Sequence, residues 1–154
     1  MGNPPFGHSG EKAMQAFFTE GPGISLKEKV SPHFWEDITH FEGNANAFRL
    51  LTHRFLGRRE GGFVMTYSTL ASIVKYPFSS TYASKHGKFG FFATEEETYK
   101  KIADELGIIQ KDSSETGICY VRHPLTYLME AADDICYEIM DIEDSNKLKL
   151  LSFE

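Results

Sequence analysis

The sequence has 154 residues, of which 41% are hydrophobic, 25% charged and 14% aromatic, enough apolar mass for one compact domain and too much for a chain dominated by disorder. Sixteen Lys and Arg against twenty-two Asp and Glu leave a formal charge of −6, which argues against general nucleic-acid binding but leaves room for a small polyanion held by a few local cations. No run approaches the roughly 18 apolar residues of a membrane span, and Met1-Gly2-Asn3-Pro4-Pro5 has neither the basic start nor the apolar core of a signal peptide, so the expectation is a soluble, cytoplasmic protein with no membrane partner.

Along the chain, Pro4, Pro5 and Gly7 bar a helix at the start, and a helix is predicted from Ser9 with Ala13, Met14, Phe17 and Phe18 as its apolar face. Gly21-Pro22-Gly23 breaks it, and a polar stretch leads to Ser31-Pro32. Over 34–55 the apolar residues Ile38, Phe41, Ala45, Phe48, Leu51 and Phe55 recur every three or four positions, which predicts one continuous helix running through Gly43. A shorter helix is predicted over 66–75, stopped ahead of Tyr76-Pro77.

The segment 78–92 has a loop composition with Lys85, His86 and Lys88 among serines and glycines. Thr94-x-x-Glu97 reads as a capping box opening a helix that Gly107 closes. Residues 112–117 read as a turn-rich link, and Ile118-Cys119-Tyr120-Val121 as a short strand or a buried approach to the last helix. That helix is predicted to have Pro124 in its first turn and to run to about Glu143. The whole reads as one all-α domain over 1–154 with at most one short strand pair. Cys119 and Cys136 lack the paired spacing of a zinc site and read as reduced, mostly buried thiols.

Chemistry concentrates on the last helix. Leu125, Leu128, Met129, Ala132, Ile135, Cys136, Ile139 and Ile142 form one side. At about 100° per residue, Glu130, Asp133, Asp134, Tyr137, Asp141 and Asp144 fall within roughly one quadrant opposite them. Like charges at that spacing repel, so the face is either solvated or offset by a metal ion or bound hydroxyl, and Tyr137 among them suggests a surface that stacks on something. His8 and Glu11, three apart, can place an imidazole beside a carboxylate for general acid or base work on a phosphate ester, although ordinary surface contact is the commoner use of that spacing. His33, His40, His53, His86 and His123 form no self-contained site, and Ser9 lacks the Gly-x-Ser-x-Gly elbow of a serine hydrolase. Lys75 with Tyr76, then Lys85, His86 and Lys88, and Arg49 are the phosphate-contact candidates, set against plain surface pairing.

As strings, several of these residues resemble the bacterial deoxyguanosinetriphosphate triphosphohydrolase family, a branch of the HD-domain metal-dependent phosphohydrolases. Gly2-Asn3-Pro4-Pro5-Phe6-Gly7-His8-Ser9-Gly10-Glu11, Phe41-Glu42-Gly43-Asn44-Ala45, Thr69-Leu70-Ala71-Ser72-Ile73-Val74-Lys75-Tyr76-Pro77 and Glu130-Ala131-Ala132-Asp133-Asp134-Ile135-Cys136-Tyr137, continued by Asp141, occur in the family's order over nearly the whole chain.

The resemblance implies an all-α HD fold that hydrolyses dGTP or another dNTP to the deoxynucleoside and inorganic triphosphate. A divalent Mg, Mn or Co would hold the α-phosphate and activate water. By motif position it implies Asp133 as a metal ligand, His8 assisted by Glu11 as the catalytic pair, Tyr137 against the deoxyribose, Asp141 on the sugar 3′-hydroxyl, and Lys75, Tyr76 and Lys88 toward phosphate. A tyrosine ring where a 2′-hydroxyl would sit gives a physical reason for a deoxyribose preference.

Asn46 stands where the family has glutamine, and the family's His-Asp doublet would precede Gly2. The chain is therefore expected to be an internal piece, truncated at both ends, of a homo-oligomeric enzyme, inactive alone because one acidic ligand cannot hold a catalytic metal. The alternative is a non-catalytic nucleotide-binding or oligomerisation module. An HD phosphohydrolase acting on a nucleoside monophosphate or cyclic nucleotide is disfavoured by the sugar-reading positions of Tyr137 and Asp141.

Overall fold

A computed structural model describes residues 4, 6–56, 60–83, 87–114 and 117–151. It is mostly helical: α1 (Gly7–Thr19), a 3-10 segment (Pro22–Lys29), α2 (Pro32–Thr39), α3 (Gly43–Thr52), α4 (Tyr67–Ile73), α5 (Ser80–Ala83), a 3-10 turn (Ala93–Glu95), α6 (Glu96–Leu106), the strands β1 (Gln110–Ser114) and β2 (Gly117–Tyr120), and α7 (Pro124–Lys147). The all-α expectation with one strand pair therefore holds. Among the described residues no helix is long and apolar enough to cross a membrane.

The predicted helix over 34–55 is two helices. His40 caps the C-terminus of α2, and Glu42 takes an extended conformation as N-cap of α3, its carboxylate accepting from the Asn44 backbone N–H at 2.7 Å. The apolar period survives the break because Ala45, Phe48 and Leu51 of α3 all turn inward. Ser31 and Thr66 cap α2 and α4, each side-chain oxygen accepting a backbone N–H, so α2 starts two residues before the expected position 34, and α1 begins at Gly7 and takes in Ser9.

The box at Thr94 does not form. A 3-10 turn occupies 93–95, and the Thr94 hydroxyl instead accepts from Arg49 at 2.9 Å and donates to Glu95 at 2.8 Å. Gly107 closes α6 in the left-handed region at φ 64°, as predicted.

The core is built by α3, α4, α6 and the strand region, with Phe48, Leu70, Val74, Phe91, Tyr99, Ile102 and Tyr120 packed together. Phe91 stacks on Tyr99 at 4.7 Å between centroids, while Phe48 and Tyr120 meet the same ring edge-on. The expected loop over 78–92 is thus partly core: Phe89, Phe91 and Phe92 are buried, as are Ser79 and Ser80 beside and in α5. Their glycine- and serine-rich setting hid an aromatic run whose burial depends on residues far away in sequence.

Backbone pairing around 76–79 positions the site. β2 pairs antiparallel with β1 on one side, and on the other side Phe78 bridges Cys119 antiparallel, with Tyr120 N–H donating to Pro77 O at 2.8 Å. Ser79 bridges Phe91 in parallel, and Gly90 N–H donates to Phe78 O at 3.1 Å. Carried back along the chain, the antiparallel offset sets Lys75 and Tyr76 against Arg122 and Val121, and the parallel offset sets Tyr76 against Lys88. Gly90 permits the approach, since a Cβ there would stand 2.2 Å from Tyr76 O.

α7 packs on α4 through its first turns, where Thr126 is fully buried and its hydroxyl donates to Ala71 O at 3.3 Å. Beyond that the helix is open: Leu128, Ile135, Ile139 and Ile142 are all more than half exposed among the described residues. The apolar side read from the sequence is present but uncovered there. Cys136 is exposed too, against the expectation of burial, whereas Cys119 is buried, and both are free thiols.

Candidate functional site

The register described above converges three cations on one ring. Lys75 Nζ lies 6.0 Å, Lys88 Nζ 5.8 Å and the Arg122 guanidinium carbon 5.8 Å from the Tyr76 ring centroid, each at cation–π range. Each cation also faces a carboxylate. Glu130 on α7 takes Lys75 on Oε1 at 2.7 Å and Arg122 on Oε2 at 3.1 Å, and Glu42 Oε1 stands 3.8 Å from Lys88. The hydrogen bond from Lys75 is the largest cause that holds the Glu130 carboxyl below its usual range, while Glu130 in turn raises Lys75. Two adjoining cavities of about 340 and 460 Å³ open beside this cluster and share Phe78, Lys111 and Cys119.

Glu11 is buried on α1, and its Oε1 accepts the Gly43 backbone N–H at 3.0 Å, satisfying a donor at the first turn of α3. Burial is the main cause that raises the neighbouring Glu42 carboxyl, with Glu11 adding to it. Contacts therefore run from Glu11 through the start of α3 to Glu42, Lys88, Tyr76, Lys75 and Glu130. His8 is exposed on α1 and makes no hydrogen bond or ion pair with any described residue, so the carboxylate that the spacing offered it is engaged with Gly43 instead.

On α7, Asp133, Tyr137 and Asp141 are exposed at i, i+4 and i+8 and have no ion pair or side-chain hydrogen bond to a described residue. Glu130 of the same polar quadrant is the residue turned onto the cations. α1 packs mainly on α2 and the 3-10 segment, and α7 on α4.

Arg49 leaves the list of phosphate candidates: it is bound to Glu95 Oε1 at 2.7 Å and to Thr94, and the Glu95 carboxylate is almost fully buried. Lys85 and His86 lie outside the described residues, as do Gly2, Asn3 and Pro5 of the first motif. Arg122 was not singled out by the sequence, because the residues it meets at Tyr76 and Glu130 share no helical or strand spacing with it.

Among the described residues no three His, Cys, Asp or Glu side chains are grouped to hold a metal ion. The described donors do not make up a complete metal site.

No family model matches the chain. Curated relatives do. The chain is 42% identical over 157 aligned residues to a deoxyguanosinetriphosphate triphosphohydrolase-like protein of Pseudomonas aeruginosa (strain LESB58), with 99% of this chain and 34% of the relative covered. It is 41% identical over 164 aligned residues to a protein of the same name from Synechocystis, covering 99% of this chain and 37% of the relative. It is 34% identical over 188 aligned residues to a deoxyguanosinetriphosphate triphosphohydrolase of Yersinia enterocolitica, covering all of this chain and 34% of the relative. The chain thus spans about a third of the length of the curated relatives it matches.

Proposed function

We propose that this chain supplies the substrate cradle of a deoxynucleoside triphosphate triphosphohydrolase, an enzyme splitting dGTP or another dNTP into the deoxynucleoside and inorganic triphosphate. The observation that carries the reading is the convergence of Lys75, Lys88 and Arg122 on Tyr76, a multiply cationic pocket suited to a polyphosphate in a protein of net charge −6. The names of the relatives supply the substrate and reaction class.

In this reading Lys75, Tyr76 and Lys88 hold phosphate, Tyr137 packs on the deoxyribose and excludes a 2′-hydroxyl, and Asp141 accepts from the 3′-hydroxyl. His8 moves a proton at the scissile phosphate ester, and Glu11 fixes the local backbone. Water attacks the α-phosphorus, the bond to the sugar 5′-oxygen breaks, and that oxygen takes the proton. Asp133 is offered as one oxygen ligand of a divalent Mg, Mn or Co. A lone carboxylate falls short of the three or four ligands such sites use, so the 154 residues alone are expected to turn over little or no substrate.

The test is to incubate the full-length protein with dGTP and manganese and follow the products by phosphorus NMR. Inorganic triphosphate as the first product supports the reading. Release of orthophosphate or pyrophosphate alone, or no turnover, overturns it.

The uncovered apolar side of α7 favours a second reading, an oligomerisation module. Sedimentation of the chain as a monomer at micromolar concentration would remove its support.

A further inference from the structure

We infer that Arg122 is a third phosphate-binding cation of this pocket and that Glu130 is the residue that positions it. The inference takes from the proposed function only the identity of the polyanion.

The backbone of Arg122 is fixed from both sides. Val121 N–H donates to Ile109 O at 2.9 Å at the end of β2, and His123 Nδ1 accepts from Leu125 N–H at 3.2 Å as the N-cap of α7, with Pro124 in the first helical position. From that link the guanidinium reaches the Tyr76 ring at 5.8 Å and the Tyr127 ring at 5.7 Å. Stacking on aromatic rings leaves the edge of a guanidinium, with its N–H donors, open to an oxyanion.

One carboxylate serves two cations here. Glu130 gives one oxygen to Lys75 and the other to Arg122, which holds both cations on one carboxylate. Both cations are about a quarter to a third exposed, so a phosphate arriving from the cavity side can reach them without unpacking the core. A carboxylate that had only to anchor α7 would need one of these partners. Holding both beside Tyr76, which Lys88 also approaches, gathers charge at one point at the expense of mutual repulsion, which a polyanion relieves.

The test measures binding of inorganic tripolyphosphate, and separately of dGTP, to the 154-residue chain by calorimetry. Arg122→Ala is expected to weaken both about tenfold, in equal proportion, because the lost contact is to phosphate and not to base or sugar. Arg122→Lys should recover part of the loss, as a point charge lacking the fork, and should melt at the wild-type temperature, which separates binding from folding. Glu130→Gln leaves one acceptor oxygen where each cation has its own, so one of them loses its partner; tripolyphosphate is expected to bind several-fold more weakly, and unchanged or tighter binding would remove the positioning role of Glu130.

Unchanged affinity in both Arg122 variants, or no tripolyphosphate binding by the wild-type chain, overturns the inference. If binding depends on Arg122 while the full-length protein releases no triphosphate from dGTP, the proposed function falls and this assignment stands. If triphosphate is released but Arg122→Lys and Arg122→Ala keep the wild-type KM for dGTP, only this assignment falls.

Discussion

The Glu11 carboxylate reaches across 32 residues of sequence to the Gly43 amide, 3.0 Å away, and so couples α1 to the first turn of α3. The first N–H groups of a helix have no partner within it, and a buried one left unpaired is costly. Glu11→Ala is expected to destabilise the chain by about 2 kcal/mol, a Tm fall on the order of 5 °C, while Glu11→Gln, which keeps an acceptor oxygen, loses less than half of that. Thermal melts followed by circular dichroism check both values, and equal losses in the two variants would place the effect elsewhere than this hydrogen bond.

Arg49 and Glu95 form a structural pair. Removing the cation strands a carboxylate that is almost fully buried, so Arg49→Ala is expected to cost roughly 2–3 kcal/mol in urea unfolding. Tripolyphosphate binding should stay within twofold of wild type, since Arg49 is engaged with Glu95 and Thr94, outside the Tyr76 cluster. A large loss of binding without a loss of stability would return Arg49 to the phosphate site.

Stability should bend with pH for opposing reasons. Burial is the largest cause that lifts the Asp37 carboxyl above 3.8 and Glu42 above 4.5, so the folded state holds protons that the unfolded chain has released. Their contribution therefore falls as pH rises from those ordinary values through the raised ones. Glu130, held below 4.5 chiefly by the Lys75 hydrogen bond, contributes stability above that value and loses it as pH drops through its folded one. Urea midpoints from about pH 3 to 7 should lose part of the falling arm in Asp37→Asn, with Glu42 keeping the rest, and the rising arm in Glu130→Gln. Parallel curves for wild type and variants would contradict this.

Gly90→Ala tests the close approach that brings Lys88 to Tyr76. The new methyl would meet Tyr76 O at 2.2 Å and Val74 Cγ1 at 2.6 Å, one of them backbone and the other buried. Destabilisation of about 2–3 kcal/mol is expected, together with weaker tripolyphosphate binding as Tyr76 shifts. Wild-type stability would mean that the two segments do not meet in this register.

Tyr137 and Asp141 are free of partners among the described residues, so Tyr137→Ala and Asp141→Asn should change stability by no more than about 0.5 kcal/mol. In the full-length protein Tyr137→Ala is expected to narrow the preference for dGTP over GTP in kcat/KM, because the ring proposed to occupy the 2′-hydroxyl position is gone. An unaltered ratio would remove Tyr137 from the sugar site.

What the sequence concealed was held by distant partners. The periodicity of 34–55 is real, yet it spans two helices, because Glu42 turns back on Asn44 and Glu11 arrives from α1 to satisfy Gly43. Thr94 has the right spacing for a capping box, but Arg49 takes its hydroxyl from 45 residues away. The last helix, with Pro124 at its start, and the Gly107 stop follow from local chemistry and were legible. At the site, motif strings pointed to Lys75, Tyr76 and Lys88. Arg122 was invisible because only the backbone pairing of 77–79 with both neighbouring segments carries it there.

The seating of α7 sets the accuracy with which its outer residues can be placed. Fifteen residues separate buried Thr126 from Asp141, which at 1.5 Å per residue is about 22 Å along the axis. A tilt of roughly 5° at the seated end would sweep Asp141 through about 2 Å, more than the tolerance of roughly 0.5 Å that catalytic geometry accepts. The aim of the distal stripe is thus governed at the near end of the rod, where the Thr126 hydroxyl and the two oxygens of Glu130 act as its bearing.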